Sequence, residues 1–320
     1  MSTTLPTRPD ETLGERPSAV TPALAARSPA HRRARAARVK IWIGGICSAL
    51  VVLPVLLATV LPLPDPNAQD LSARRLAPLT DGHLFGTDQL GRDLLARVLS
   101  GGQVSLTVGI LAVCVSGLIG LVLGCLAGFH GGWVDAVASR LAEAQLALPL
   151  LMMLLLVVAL FGSSIPVITA VIAIAQWPEV FRLTRSLVLV ERGKPYIDAA
   201  RTLGLGRLAI LLRHVVPNVV KPASLVVLLL LAQAVLLESA LSYLGAGPER
   251  PFATWGRIVS DGQDYITTSW WIATLPGLVI VLLVVGVNLL GDGLRDRSGG
   301  IGRPRFLGLG ATRDAKGAKA

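Results

Sequence analysis

Six runs dominated by Leu, Val, Ile and Ala divide this chain: Ile41 to Leu61, Val104 to Phe129, Leu146 to Phe161, Pro166 to Phe181, Ala223 to Leu244, and Trp271 to Leu290. Their lengths lie at or near the 17 to 25 apolar residues, roughly, that a helix needs to cross a hydrocarbon layer. The pattern predicts an all-α integral membrane protein with six transmembrane helices. Only Gly162-Ser-Ser-Ile-Pro166 separates the third run from the fourth, so these two are expected to form a tight helical hairpin.

Polar segments complete the organisation. Residues 1–40 are rich in Pro, Ala, Ser and Arg without a sustained period. They read as a disordered tail that ends in a basic anchor, His31 to Lys40. A cleaved signal peptide is the competing reading. The first apolar run is too long for one, starts too late and has no small-x-small site before Pro62, so residues 41–61 are expected to stay as an anchor. An outer loop with an amphipathic segment fills 62–103. A core over 104–293 contains a polar loop at 182–221, and 294–320 form a second tail expected to be disordered.

The polar loop has helical punctuation of its own. Pro195 suits the first turn of a helix and Gly204 the position just past its end. A second helix begins near Gly206 or Arg207, carries Leu208, Leu211, Leu212 and Val215 at helical spacing, and is expected to end by Pro217.

Composition agrees with a bilayer. The chain is 52% apolar but only 5% aromatic, and a large soluble catalytic core is excluded. Its net charge of +10 does not point to nucleic acid, because the basic residues cluster at membrane edges. The N-tail holds eight Lys and Arg, the 182–221 loop eight, the C-tail seven, and Arg140 lies on the same side. The opposite side has six: Arg74, Arg75, Arg92, Arg97, Arg250 and Arg257. By the positive-inside rule both termini and the polar loop are cytoplasmic.

Candidate chemistry is sparse. Cys47, Cys114 and Cys125 all lie in apolar runs and read as small packing residues. His31, His83, His130 and His214 are isolated, so no metal site is expected. No Gly-x-x-x-x-Gly-Lys-Ser/Thr stretch occurs, and Gly193-Lys194 is followed by proline. Glu238 is the one acidic residue well inside a run, roughly 9 Å from its outer end at the helical rise. An intramembrane carboxylate suits a water-filled pathway or a partner subunit; a hydrogen bond between helices is the other reading.

The stretch Tyr196-Ile-Asp-Ala-Ala-Arg-Thr-Leu-Gly204, continued through Ile210 to Pro217-Asn218, suits two uses on its residues alone. It can lie on an anionic membrane surface, or its small residues can admit a partner. In residue order it resembles the EAA loop of ABC-importer permeases, with Asp198 where that family has Glu. Phe85-Gly-Thr-Asp88-Gln-Leu-Gly-Arg92-Asp93 resembles the signature before the second span in the dipeptide, oligopeptide and nickel branch. Gln103 stands where those relatives often have a basic residue. Thr87 or Asp88 is expected to cap the helix that follows. Gly131-Gly-Trp-Val-Asp135, Glu238 to Gly245, Trp255-Gly256 and Asn288 to Asp296 extend the likeness over roughly 84–296.

The resemblance implies type I ABC-importer permease architecture, the chain being the second permease of a pair. It also implies a loop in which Asp198, Ala199, Ala200, Gly204, Ile210 and Pro217 meet an ATPase subunit, with Glu238 as the pathway candidate. The implied partners are a homologous permease, two ABC ATPases, an external solute-binding protein and membrane lipid, with no nucleic acid. ATP and Mg belong to the ATPase partners, and no cofactor, metal or catalytic residue is expected on this chain. An intramembrane enzyme or a non-conducting assembly scaffold are the alternatives from other classes.

Overall fold

A computed structural model describes residues 29–249 and 251–297, with side chains from residue 35. Among the described residues, nine helices carry the fold: α1 (Pro29–Leu57), α2 (Leu94–His130), α3 (Gly132–Leu146), α4 (Leu150–Phe161), α5 (Ile165–Arg192), α6 (Pro195–Thr202), α7 (Arg207–Tyr243), α8 (Trp255–Gly262) and α9 (Trp271–Arg297). Five of them, α1, α2, α5, α7 and α9, are long and apolar enough to cross a membrane.

The α2–α5 seam is built from small residues. A Cβ on Gly120 would lie 2.5 Å from the Val180 Cβ, one on Gly124 2.6 Å from the Thr184 Cβ, and one on Gly128 2.8 Å from the Val188 Cβ. Three glycines at intervals of four therefore face three β-branched residues at the same interval, and the two backbones approach closely. In lipid, where apolar faces gain nothing by hiding from solvent, such close packing is what holds helices together. The α1–α9 pair uses the same device: a Cβ on Gly44 would lie 2.4 Å from the Leu290 backbone nitrogen. The other face of α1, with Trp42, Ile46, Leu50, Leu53 and Leu57, stays exposed.

The structure revises several boundaries. Residues 29–40 continue α1 and are not a disordered tail, and α9 runs on to Arg297; the Lys40 ammonium donates to Asp296 at 2.8 Å and ties the two ends together on one side of the molecule. The rest of both tails lies outside the described residues.

The expected third span is a bent pair. Pro149 stops the helical run, and α4 continues at 93° to α3 with only 12 residues, about 18 Å of rise. The fourth span does not end at Phe181 but extends as α5 to Arg192. Pro178 inside it lacks an N–H and leaves the Ile174 carbonyl without its helical donor. The Gln145 side-chain amide donates to Ile174 O at 2.7 Å and Ala175 O at 3.1 Å, while its oxygen accepts from Trp177 Nε1 at 2.9 Å.

On the outer side a polar clasp replaces the simple amphipathic segment. The cap of α2 is Asp93, not Thr87 or Asp88, and its carboxylate accepts from Ala96 N at 2.7 Å. Asp88 is fully buried and accepts from Leu90 N at 2.8 Å, from Arg92 Nε at 2.7 Å and from Arg97. Arg97 reaches on to Asp261 of α8 at 3.5 Å, and Trp255 Nε1 donates to Val98 O at 2.8 Å. Gln103 donates to Val55 O at 3.1 Å, joining α2 to α1. His83 is not isolated: its Nδ1 lies 2.7 Å from the Asp93 carboxylate.

Candidate functional site

The loop between α5 and α7 folds as a compact shoulder. Pro195 occupies the first turn of α6, as its fixed φ favours. The helix ends in a Schellman turn: Gly204 has φ +81°, its N–H donates to Arg201 O at 3.0 Å, and the Leu205 N–H donates to Ala200 O at 3.2 Å. Open space surrounds a Cβ built on Gly204, so backbone conformation and not crowding requires glycine there.

One side of the shoulder is fastened down. Ile197, Ala200, Ile210, Leu211, Val215 and Val219 are buried in a cluster with Cys125 and Phe129 of α2 and Val188 of α5. Polar bonds reinforce it. Glu191, at the end of α5, accepts from Lys194 Nζ at 2.6 Å and from the Tyr196 hydroxyl, and Asn218 Nδ2 donates to Tyr196 at 3.3 Å and to His214 O at 2.7 Å. Burial and the adjoining Glu191 carboxylate raise the Tyr196 phenol above its ordinary pKa, so it stays a donor. At the end of α2, the Gly128 carbonyl accepts from Arg192 at 2.8 Å.

The other side is open. Asp198 and Ala199 are exposed, and so are Leu203 at 80%, Leu208 at 63% and Leu212 at 56%. Asp198 pairs on the same surface with Arg201 at 3.0 Å. Exposed leucines between charged residues, on a scaffold held by three helices, form a surface suited to a protein partner.

The six sequence-predicted loop residues thus divide. Asp198, Ala199 and Gly204 lie on the open surface, while Ala200 and Ile210 pack inward. Pro217 is a correction: it does not close the shoulder. A π turn at Leu211–Val215, in which the Val216 N–H donates to Leu211 O five residues back, lets the helix pass the proline and continue as one element, Arg207–Tyr243. The wider turn absorbs the missing donor and the clash that proline brings to an α-helix. Glu191 falls outside the elements that hydropathy predicts because the apolar run ends at Phe181, eleven residues before α5 ends at Arg192.

Glu238 is also placed differently from the pathway expectation. It is fully buried inside the subunit and accepts from the Ser242 hydroxyl at 2.6 Å one turn on, with Ser105 of α2 and Thr254 before α8 close by. An accessible cavity with polar lining lies elsewhere. A cavity of ≈ 360 Å³ between α5, α7 and α9 is lined by Glu179, Leu229, Gln233, Asn288 and Arg295.

Residues 120–298 match the family model described as a binding-protein-dependent transport system inner membrane component. The chain belongs to this family. It is a multi-pass permease component of a bacterial inner-membrane transport system. It is 38% identical over 255 residues to a probable D,D-dipeptide transport system permease protein of Escherichia coli (strain K12), covering 78% of this chain and 85% of the relative. A di/tripeptide transport system permease protein of Pseudomonas aeruginosa (strain UCBPP-PA14) is 40% identical over 213 residues, 67% of this chain and 70% of the relative. A dipeptide transport system permease protein of Alkalihalophilus pseudofirmus is 36% identical over 244 residues, 76% and 80% of the two chains. The family match includes the whole α6 shoulder, so the permease presents this surface within its matched core.

Proposed function

We propose that this permease forms half of a pathway for peptides and that the α6 shoulder receives force from an ATPase subunit. A homologous permease supplies the other half, two ABC ATPases carry ATP and Mg, and an external binding protein delivers the solute. This chain contributes no ATPase site of its own. The peptide assignment draws on what the relatives are named for. The observation that carries the coupling role is the two-sidedness of the shoulder: its inner face is clamped to α2, α5 and α7, and its outer face offers Ala199, Leu203, Leu208 and Asp198. A push or pull on that outer face moves three membrane helices together, which is how nucleotide-driven closure could switch access from one side to the other.

Leu203→Glu tests the idea, because it alters only the open face. In proteoliposomes holding the complete transporter, the substitution is expected to cut peptide uptake about tenfold, a loss of about 1.4 kcal/mol in coupling. The purified permease pair should melt at an unchanged temperature. Uptake and solute-stimulated ATP hydrolysis equal to the unaltered complex would exclude Leu203 from the coupling surface.

A further inference from the structure

The cavity between α5, α7 and α9 carries both signs of charge, and neither is used internally. Glu179 follows Pro178 in the middle of α5, fourteen residues from Ile165 and so roughly 21 Å along the helix axis. Gln233 lies ten residues before the end of α7, roughly 15 Å along its axis, Asn288 lies nine residues before the end of α9, and Arg295 is exposed in the last turn of α9. Among the described residues, neither the Glu179 carboxylate nor the Arg295 guanidinium has a hydrogen-bond or ion-pair partner. They line one cavity without meeting each other.

Glu179 is half-buried at mid-helix, where an unpaired charge is costly unless water, a ligand or a partner solvates it. A carboxylate, a guanidinium and two side-chain amides around one cavity present complementary groups to a zwitterion: the first for an ammonium, the second as a fork for a carboxylate, and the amides for the peptide bond. A cavity of ≈ 360 Å³ has room for a solute of dipeptide size.

Resting on the proposed permease function, we infer that Glu179 and Arg295 form a solute-contacting site in the translocation pathway that takes the ammonium and carboxylate ends of short zwitterionic peptides, with Gln233 and Asn288 lining the same cavity. Glu238, sealed inside the subunit, has no part in it. The site works on solute already released by the binding protein, so it sets passage rate and not first capture.

The test uses the complete transporter in proteoliposomes, with Ala-Ala as probe and ATP hydrolysis measured in the same vesicles. Glu179→Gln and Arg295→Gln are each expected to slow Ala-Ala uptake about tenfold while ATP hydrolysis stimulated by loaded binding protein stays within about twofold. Glu179→Asp, which keeps the charge, should recover most of the rate. Uptake within about twofold of the unaltered complex in both Gln variants overturns the site. So does a parallel fall of uptake and ATP hydrolysis with loss of assembled complex, which would assign these groups to the subunit interface. If the unaltered complex moves no Ala-Ala or other short peptide, the peptide-permease reading itself fails and this inference falls with it.

Discussion

Single residues here answer to backbone and charge demands that spacing alone does not reveal. Gly204 illustrates the first. Its φ of +81° and the open space around it mean that Gly204→Ala should cost about 1 kcal/mol through the left-handed conformation, not through a clash. Gly204→Asn, a residue that tolerates this region, should cost less. Thermal melting of the purified complex would give that order, and a larger cost for Asn than for Ala would point to steric crowding by a bound ATPase. Asp88 illustrates the second: a short exposed-looking Gly-Thr-Asp-Gln segment hides a fully buried carboxylate that holds Arg92 and Arg97. The sequence marked the segment but offered no measure of its burial, because Asp261, which Arg97 also reaches, comes from a distant part of the chain.

At the level of elements, hydropathy identified every long membrane helix, and what it misplaced were ends and the third span, which is a bent pair. The reason is physical: apolar content reports which residues meet lipid, whereas a helix continues for as long as its backbone bonds can be closed. Arg182 to Arg192 carries three arginines and a glutamate yet stays helical, because Asp135 takes the Arg185 guanidinium and the end of α2 takes Arg192. Prolines misled in the same way. Pro149 ends a helix, Pro178 is tolerated because Gln145 supplies the missing donor, and Pro217 is passed by a π turn. The glycine seam yields a prediction at this scale. Gly124→Leu forces a side chain into Thr184 and the Phe181 carbonyl, and should destabilise the α2–α5 pair by about 3 kcal/mol. Gly45→Ala, with nothing within 4 Å of the added carbon, is expected to be neutral or slightly stabilising. Recovery of assembled complex from membranes reads both; equal yields for the two variants would mean the seam is not close-packed.

For the whole molecule, charge distribution fixes a direction across the membrane that packing leaves undetermined. Cysteine placed at Asp198 should react with an impermeant maleimide only in inverted vesicles, and cysteine placed at Asp81 only in right-side-out vesicles, once the native thiols are replaced by serine. The opposite pattern would reverse the topology. The candidate coupling surface was largely legible beforehand because small residues, a helix-stopping glycine and flanking charges are local signals. The proposed pathway surface was not, since Glu179, Gln233, Asn288 and Arg295 converge only after three helices pack. The uninterrupted course of α7 adds a mechanical consequence. Its 37 residues make a rod about 55 Å long, with one end in the cytoplasmic shoulder and the other at the buried Glu238–Ser242 turn on the far side. If such a rod pivots near its midpoint, a tilt of about 5° carries its tips in opposite directions by roughly 2 Å each. A single stiff lever could therefore open one mouth of the subunit by the same stroke that shuts the other.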